Sequence, residues 1–202
     1  NEMSGMEDYM VYSLTNTDEI KELARKIMIY EVQKAKLFID SGANGITIAD
    51  DMAFNTGLLL PPHIMDEIAF PFYEEAVKEI KAYKDVPVIL HTDGNINMVL
   101  GRIADLGFDG IQSLQPSAGM DIKEVKEKYG DRLCLIGNID LDYIMTFAPA
   151  EEVKQNVEET IRAAAKGSGF ILSTCNTLVD IIPPENAFAM YETAETFDME
   201  EL

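Results

Sequence analysis

Two rhythms of apolar residues alternate along the chain. Five short runs, at 45–49, 86–90, 110–114, 132–136 and 169–173, are apolar at nearly every position. A run this continuous predicts a strand covered on both faces, as in a parallel sheet. Around these runs the apolar positions recur every three or four residues instead. Across 18–41 they are Ile20, Leu23, Ala24, Ile27, Met28, Val32, Ala35 and Phe38, a helical stripe. Similar spacing predicts helices over 62–83, 95–106, 121–129, 150–166 and 184–196, and 9–14 also reads as helical.

Helix signals punctuate the same boundaries. Thr17 stands before Asp18 and Glu19, and Pro149 before Glu151 and Glu152, which places acids in first turns. Gly42, Gly107, Gly130 and Gly167 follow helical patterns as C-terminal stops. The repeated order of helix, glycine, strand and polar loop predicts an α/β fold with parallel strands in sequential order.

Residues able to do chemistry gather just after the strands: Asp50 and Asp51, His91 and Asp93, Gln115, Asn138 and Asp140, Cys175 and Asn176. In a (β/α)8 barrel these positions form the C-terminal face, where active sites lie. No glycine-rich dinucleotide or phosphate loop follows any strand, which argues against a nucleotide-binding doubly wound sheet. A closed barrel needs eight strands. The expectation is therefore a single domain over 1–202, built from about five C-terminal βα units of a (β/α)8 TIM-barrel-type fold. Strand edges left open would be apolar and would favour self-association, a homo-oligomer included.

Composition narrows the partners. The chain has 202 residues, is 47% hydrophobic and 26% charged, and carries a net charge of −20. Such a charge repels nucleic-acid backbones and anionic membrane surfaces and leaves a small molecule as the expected substrate. There is no run of 18 apolar residues to cross a membrane. Two cysteines, Cys134 and Cys175, lie in different strand regions and suggest no disulfide framework, so a cytoplasmic setting is expected.

Several segments together resemble the uroporphyrinogen decarboxylase superfamily. They are Asp50-Asp51 with Leu58-Leu59-Leu60-Pro61-Pro62, His91-Thr92-Asp93-Gly94-Asn95, Leu135-Ile136-Gly137-Asn138-Ile139-Asp140, Ser173-Thr174-Cys175-Asn176, and Pro183-Pro184-Glu185-Asn186. Each is weak alone; their order and spacing over the whole chain carry the likeness. The resemblance implies a TIM barrel whose first three strands lie N-terminal to this sequence. It also implies one of two chemistries, a carboxyl-lyase acting on a tetrapyrrole or a zinc-dependent methyltransferase working with a corrinoid. The decarboxylases are expected to end strand eight in a Gly-His-Gly-Ile type motif, and Cys175 stands there instead. The methyltransferases carry His-x-Cys on strand five and a Cys on strand eight, all binding zinc. His91 and Cys175 match that set, whereas Asp93 replaces a soft sulfur by a hard oxygen.

The resemblance thus points to His91, Asp93 and Cys175 as a zinc site. Strand residues two apart share a face, so His91 and Asp93 can converge. Without metal the same residues would form a hydrogen-bonded polar cluster. Asp50 and Asp51 are the candidates for orienting substrate or for acid–base work, with capping of the following loop as the plainer role. Gln115, Asn138 and Asn176 are candidates for holding substrate. Cys134, between Leu133 and Leu135, reads as a small buried hydrophobe, and His63 as a surface residue at a helix start. The functional expectation is transfer of a methyl group between a corrinoid, carried by a corrinoid protein, and a small acceptor activated by zinc. The alternatives are the tetrapyrrole carboxyl-lyase and a non-catalytic corrinoid- or tetrapyrrole-binding protein.

Overall fold

The computed structural model describes residues 5–202. Its elements are, in order, α1 (Met6–Thr15), α2 (Thr17–Asp40), β1 (Ile46–Ala49), β2 (Ala53–Phe54), β3 (Gly57–Leu58), α3 (Pro62–Ile68), α4 (Phe70–Tyr83), β4 (Val88–Thr92), α5 (Leu100–Asp105), β5 (Gly110–Ser113), α6 (Ile122–Tyr129), β6 (Cys134–Ile139), α7 (Ala150–Ala164), β7 (Phe170–Thr174) and α8 (Pro184–Thr196). One sheet has the order β1-β4-β5-β6-β7, and every pair in it is parallel. The strands therefore follow one another as consecutive βα units of a (β/α)8 barrel. The pair β2 and β3 forms a small antiparallel hairpin inserted after β1.

Each strand divides its side chains by the period of two. Val88, Leu90, Ile111 and Leu135 are buried in the core between sheet and helices. Their neighbours Ile89, His91, Gln112, Cys134 and Ile136 are only half-buried and line the opposite face. Cys134 is therefore more exposed than a fully buried hydrophobe. The helices supply matching stripes. In α2 these are Met28, Val32, Ala35 and Ile39. In α7, Val153, Val157 and Ile161 join Ile139, Met145, Ile182, Ala189 and Met190 in a second cluster under α8.

Three helices differ from the sequence pattern, each for a backbone reason. Thr17 does not cap α2. It lies inside the first turn, its hydroxyl donates to the Ser13 carbonyl, and Asn16 makes the break between α1 and α2. The helix expected over 62–83 divides at Ala69, just before Pro71, whose ring lacks an N–H and crowds the preceding turn. The helix expected over 95–106 begins only at Leu100, because Asn95 donates its amide to the Phe54 carbonyl, 2.8 Å away in the hairpin. That bond ties the end of β4 to the loop after β1.

Candidate metal centre

The hairpin contact decides where the loop after β1 goes. Gly94 has φ +84, and a Cβ there would lie 2.6 Å from the backbone of Ala53, so only glycine lets the two segments close. Met52 donates its amide to the Thr92 hydroxyl at 3.0 Å, and Asp93 donates its amide to Asp51 Oδ1 at 3.0 Å. These bonds carry the Asp51 carboxylate over the end of β4.

There it meets His91 and Asp93. The three side chains offer one nitrogen and two carboxylate oxygens, all within 4.8 Å of one another. His91 Nε2 lies 3.9 Å from Asp51 Oδ1 and 3.9 Å from Asp93 Oδ1. Ligand atoms held ~2.0–2.1 Å from a tetrahedral zinc sit roughly 3.3 Å apart. Each His91–carboxylate separation would close by about 0.6 Å around an ion. Nitrogen and oxygen donors suit zinc and also harder divalent ions, so these residues fit the metal that the resemblance implies and leave a coordination position open.

The surrounding hydrogen bonds hold these three side chains in place. Asp93 Oδ1 accepts from the buried Ser113 hydroxyl at 2.6 Å, and Asp93 Oδ2 accepts from the Asn176 side-chain amide. Gln112 Oε1 faces His91 Nδ1, while Gln112 Nε2 donates to the carbonyls of Thr174 at 3.2 Å and Cys175 at 3.1 Å. Gln112 was not among the residues singled out in the sequence. A glutamine in mid-strand carries no local signal; only the pairing of His91 with Gln112 across β4 and β5 reveals it.

Cys175, expected beside His91 and Asp93, is not a member of the group; Asp51 takes the third place. Cys175 is buried just after β7, where its amide donates to the Ile139 carbonyl of β6 at 3.0 Å. Burial first, and then the charges of Asp140, Asp93 and Asp142, push its thiol up to about 11 against a backbone hydrogen bond from Leu141 that favours the thiolate. Asp50 is directed elsewhere than its neighbour. Its carboxylate accepts from the Tyr73 hydroxyl of α4, and burial followed by the Asp50 charge raises the Tyr73 pKa well above the ordinary phenol value. The candidates for substrate contact are each engaged by the protein. Gln115 accepts from the Gly94 amide at 3.3 Å and donates to Ser117 at 2.9 Å. Asn138 is buried and donates to the Leu114 carbonyl at 3.0 Å. Asn176, exposed at the rim, holds Asp93.

The face as a whole is electronegative. The five loops that follow β1, β4, β5, β6 and β7 contain Asp50, Asp51, Asp93, Asp121, Asp140, Asp142 and Asp180, and no lysine or arginine. A groove of roughly 630 Å³ runs between the loops after β5 and β6 toward α7 and includes Ser117, Asn138, Asp140 and Tyr143 in its lining, but none of Asp51, His91 and Asp93. Asp140 accepts from the Tyr143 amide through Oδ1, and its buried Oδ2 has no hydrogen-bond partner among the described residues.

Residues 1–197 match the uroporphyrinogen decarboxylase (URO-D) family. The methylcobamide:CoM methyltransferase MtaA of Methanosarcina barkeri is 24% identical over 198 residues, covering 98% of this chain and 55% of that protein. A uroporphyrinogen decarboxylase of Trichodesmium erythraeum is 31% identical over 175 residues, covering 86% of this chain and 45% of the enzyme. Among solved structures, a methyltransferase from Methanosarcina mazei matches with a TM-score of 0.79 at 23% identity, over 94% of this chain and 52% of that one. That structural likeness bears on the fold, which is the α/β barrel type. The chain spans about half the length of the curated relatives it matches. No helix among the described residues is long and apolar enough to cross a membrane.

Proposed function

The chain belongs to the uroporphyrinogen decarboxylase family, and within that family we propose that it acts as a methyltransferase whose metal is held by Asp51, His91 and Asp93. The reaction is exchange of a methyl group between a corrinoid, presented by a corrinoid protein, and a small acceptor such as a thiol. The single observation that carries this reading is the convergence of one imidazole nitrogen and two carboxylate oxygens at the strand ends. Zinc bound there would supply the Lewis acidity that lets a thiol lose its proton near neutral pH.

The chain's own residues supply the rest. Ser113 and Asn176 hold both oxygens of Asp93, so its direction is set before any ligand arrives. Asp50, gripped by Tyr73, anchors the loop that presents Asp51. Asn176, which holds Asp93 at the rim, is assigned to the surroundings of the acceptor, and Asn138 to the groove between the loops after β5 and β6. Gln115 ties the loop after β4 to the loop after β5, accepting from Gly94 and donating to Ser117.

The second reading, a tetrapyrrole carboxyl-lyase, draws on the 31% identity to the Trichodesmium decarboxylase. Loops with seven aspartates and no basic residue are poor neighbours for a substrate bearing several carboxylates. The discriminating experiment measures bound metal and methyl transfer from methylcobalamin to a thiol, before and after exhaustive chelation. Loss of activity on chelation and its return with zinc are expected. Full activity with no bound metal would sink the methyltransferase reading. Decarboxylation of a tetrapyrrole substrate by the same preparation would favour the second.

A further inference from the structure

Gln112 lies in β5, yet its side chain joins two other strands. On one side its Oε1 faces Nδ1 of His91 in β4. On the other its Nε2 donates to two backbone carbonyls at the end of β7, those of Thr174 at 3.2 Å and Cys175 at 3.1 Å. The two carbonyls settle which way the amide points. A carbonyl can only accept, so the NH2 end of Gln112 must face them and the oxygen end must face His91. That oxygen in turn can only accept, so His91 Nδ1 must carry a proton. In the neutral ring Nε2 is then left with its lone pair, and Nε2 is the atom that faces Asp51 Oδ1 and Asp93 Oδ1 at 3.9 Å each.

Both atoms of the Gln112 amide are thus committed, and the half-buried ring has one tautomer. Without this partner the neutral imidazole could place its proton on Nε2 and donate it to either carboxylate. The nitrogen lone pair would then be turned away from the group. The contact also spans β6, where Ile136 lies opposite Gln112 and Gly137 opposite Ser113. A Cβ there would meet the Ser113 carbonyl oxygen at 2.4 Å, so β5 and β6 keep their close approach only with glycine.

We infer that Gln112 is the positioning residue of this centre: by accepting from His91 Nδ1 and donating to the β7 carbonyls, it fixes the tautomer that aims His91 Nε2 between Asp51 and Asp93. The inference rests on the metal-site reading only for its consequence on affinity; the tautomer itself is a property of the metal-free chain. A ring nitrogen pre-set in this way binds a divalent ion without first moving a proton, and partners of this kind are worth about 10–100-fold in metal affinity.

The test uses the metal-free chain and its Gln112→Leu and Gln112→Glu variants. Two-bond 1H–15N correlation of the imidazole rings is recorded across a pH series, and the tautomer is read from the pattern of the neutral ring. His63 is exposed and serves as the reference ring, with His91→Gln assigning the other. The wild-type chain should show His91 protonated at Nδ1, and Gln112→Leu should shift it toward the Nε2-protonated form while His63 stays unchanged. The Gln112→Glu variant keeps an acceptor for Nδ1 but loses the donors to Thr174 and Cys175, and should retain the Nδ1 proton. Cobalt(II) titration, read by its visible absorption, should show affinity about 10–100-fold weaker for Gln112→Leu than for wild type. Thermal melting establishes that each variant is folded; should Gln112→Leu not fold, the wild-type tautomer and the Gln112→Glu variant carry the test. A wild-type His91 protonated at Nε2, or a folded Gln112→Leu variant with unchanged tautomer and unchanged cobalt affinity, would overturn the inference. A wild-type chain that has the expected tautomer but binds no cobalt would overturn the metal-site reading and leave the role of Gln112 standing.

Discussion

The backbone amide of Asp93 donates to the carboxylate of Asp51 at 3.0 Å, across 42 positions of sequence. One bond therefore fixes the end of β4 and also delivers a second carboxylate to His91. Its two functions can be separated. Asp51→Asn keeps an oxygen that accepts from Asp93 but loses the charge, whereas Asp51→Ala loses both. Zinc affinity measured by calorimetry should fall about tenfold or more in either variant. Thermal stability should hold in Asp51→Asn and drop by about 0.5–1.5 kcal/mol in Asp51→Ala. Equal zinc binding by wild type and Asp51→Ala would remove Asp51 from the ligand set.

Asp93 stands where the resemblance places a cysteine. Asp93→Cys should therefore move the centre toward softer ions, with cadmium gaining on manganese in competition titrations. Ser113→Ala frees Asp93 Oδ1 from its 2.6 Å hydrogen bond and should weaken binding of both ions without changing their order. A cadmium-to-manganese preference that is the same in Asp93→Cys as in wild type would mean that residue 93 does not touch the ion.

Cys175 gives a pH signature. Burial above all raises its thiol from 9.0 to about 11, so it stays protonated at neutral pH and should alkylate slowly there. The sign for stability follows from proton binding. Between the unfolded and folded values the native state holds a proton that the unfolded chain has lost, so this contribution is fully present below about 9 and declines as pH rises toward 11. A full shift of this size corresponds to about 2–3 kcal/mol. Tyr73, raised by burial and then by Asp50, and Tyr9, raised by the same two causes, also weaken the fold at alkaline pH. The difference between wild-type and Cys175→Ala denaturation curves isolates the thiol. A difference that does not change between neutral pH and about pH 11 would contradict this environment. Because Cys175 lies outside the close trio, Cys175→Ser should also cost less zinc affinity than Asp51→Ala.

Gly94 joins backbone geometry to the candidate metal centre. Its φ of +84 and the 2.6 Å approach of a new Cβ to Ala53 leave an alanine no relaxed position. Gly94→Ala should destabilise the fold by about 1–3 kcal/mol and weaken zinc binding as well, because the hairpin and Asp51 must move together. Unfolding by denaturant and zinc titration on the same sample check both. A variant that loses stability but binds zinc as wild type would show that the hairpin contact does not place Asp51.

The order of the fold was legible in the sequence because parallel strands and amphipathic helices are written as local patterns. The five apolar runs became β1, β4, β5, β6 and β7, paired in parallel and in sequence order. His91 and Asp93 could be put on one face because the strand period is two. The division of one helix at Ala69 follows from Pro71, a local signal, whereas the loss of residues 95–99 from another was not legible locally, because it depends on Phe54, a partner 41 positions from Asn95 in sequence. The choice of Asp51 over Asp50 and Cys175 as companion to His91 was decided by the tertiary structure alone. Adjacent aspartates look alike in sequence, but the amide of Asp93 takes one and the hydroxyl of Tyr73 takes the other. The role of Gln112 was hidden for the same reason: it is set by a histidine 21 positions before it and two carbonyls 62 and 63 positions after it. The sequence by itself determined which residues reach the strand ends; the packing of neighbouring strands and loops decided which atoms face one another there.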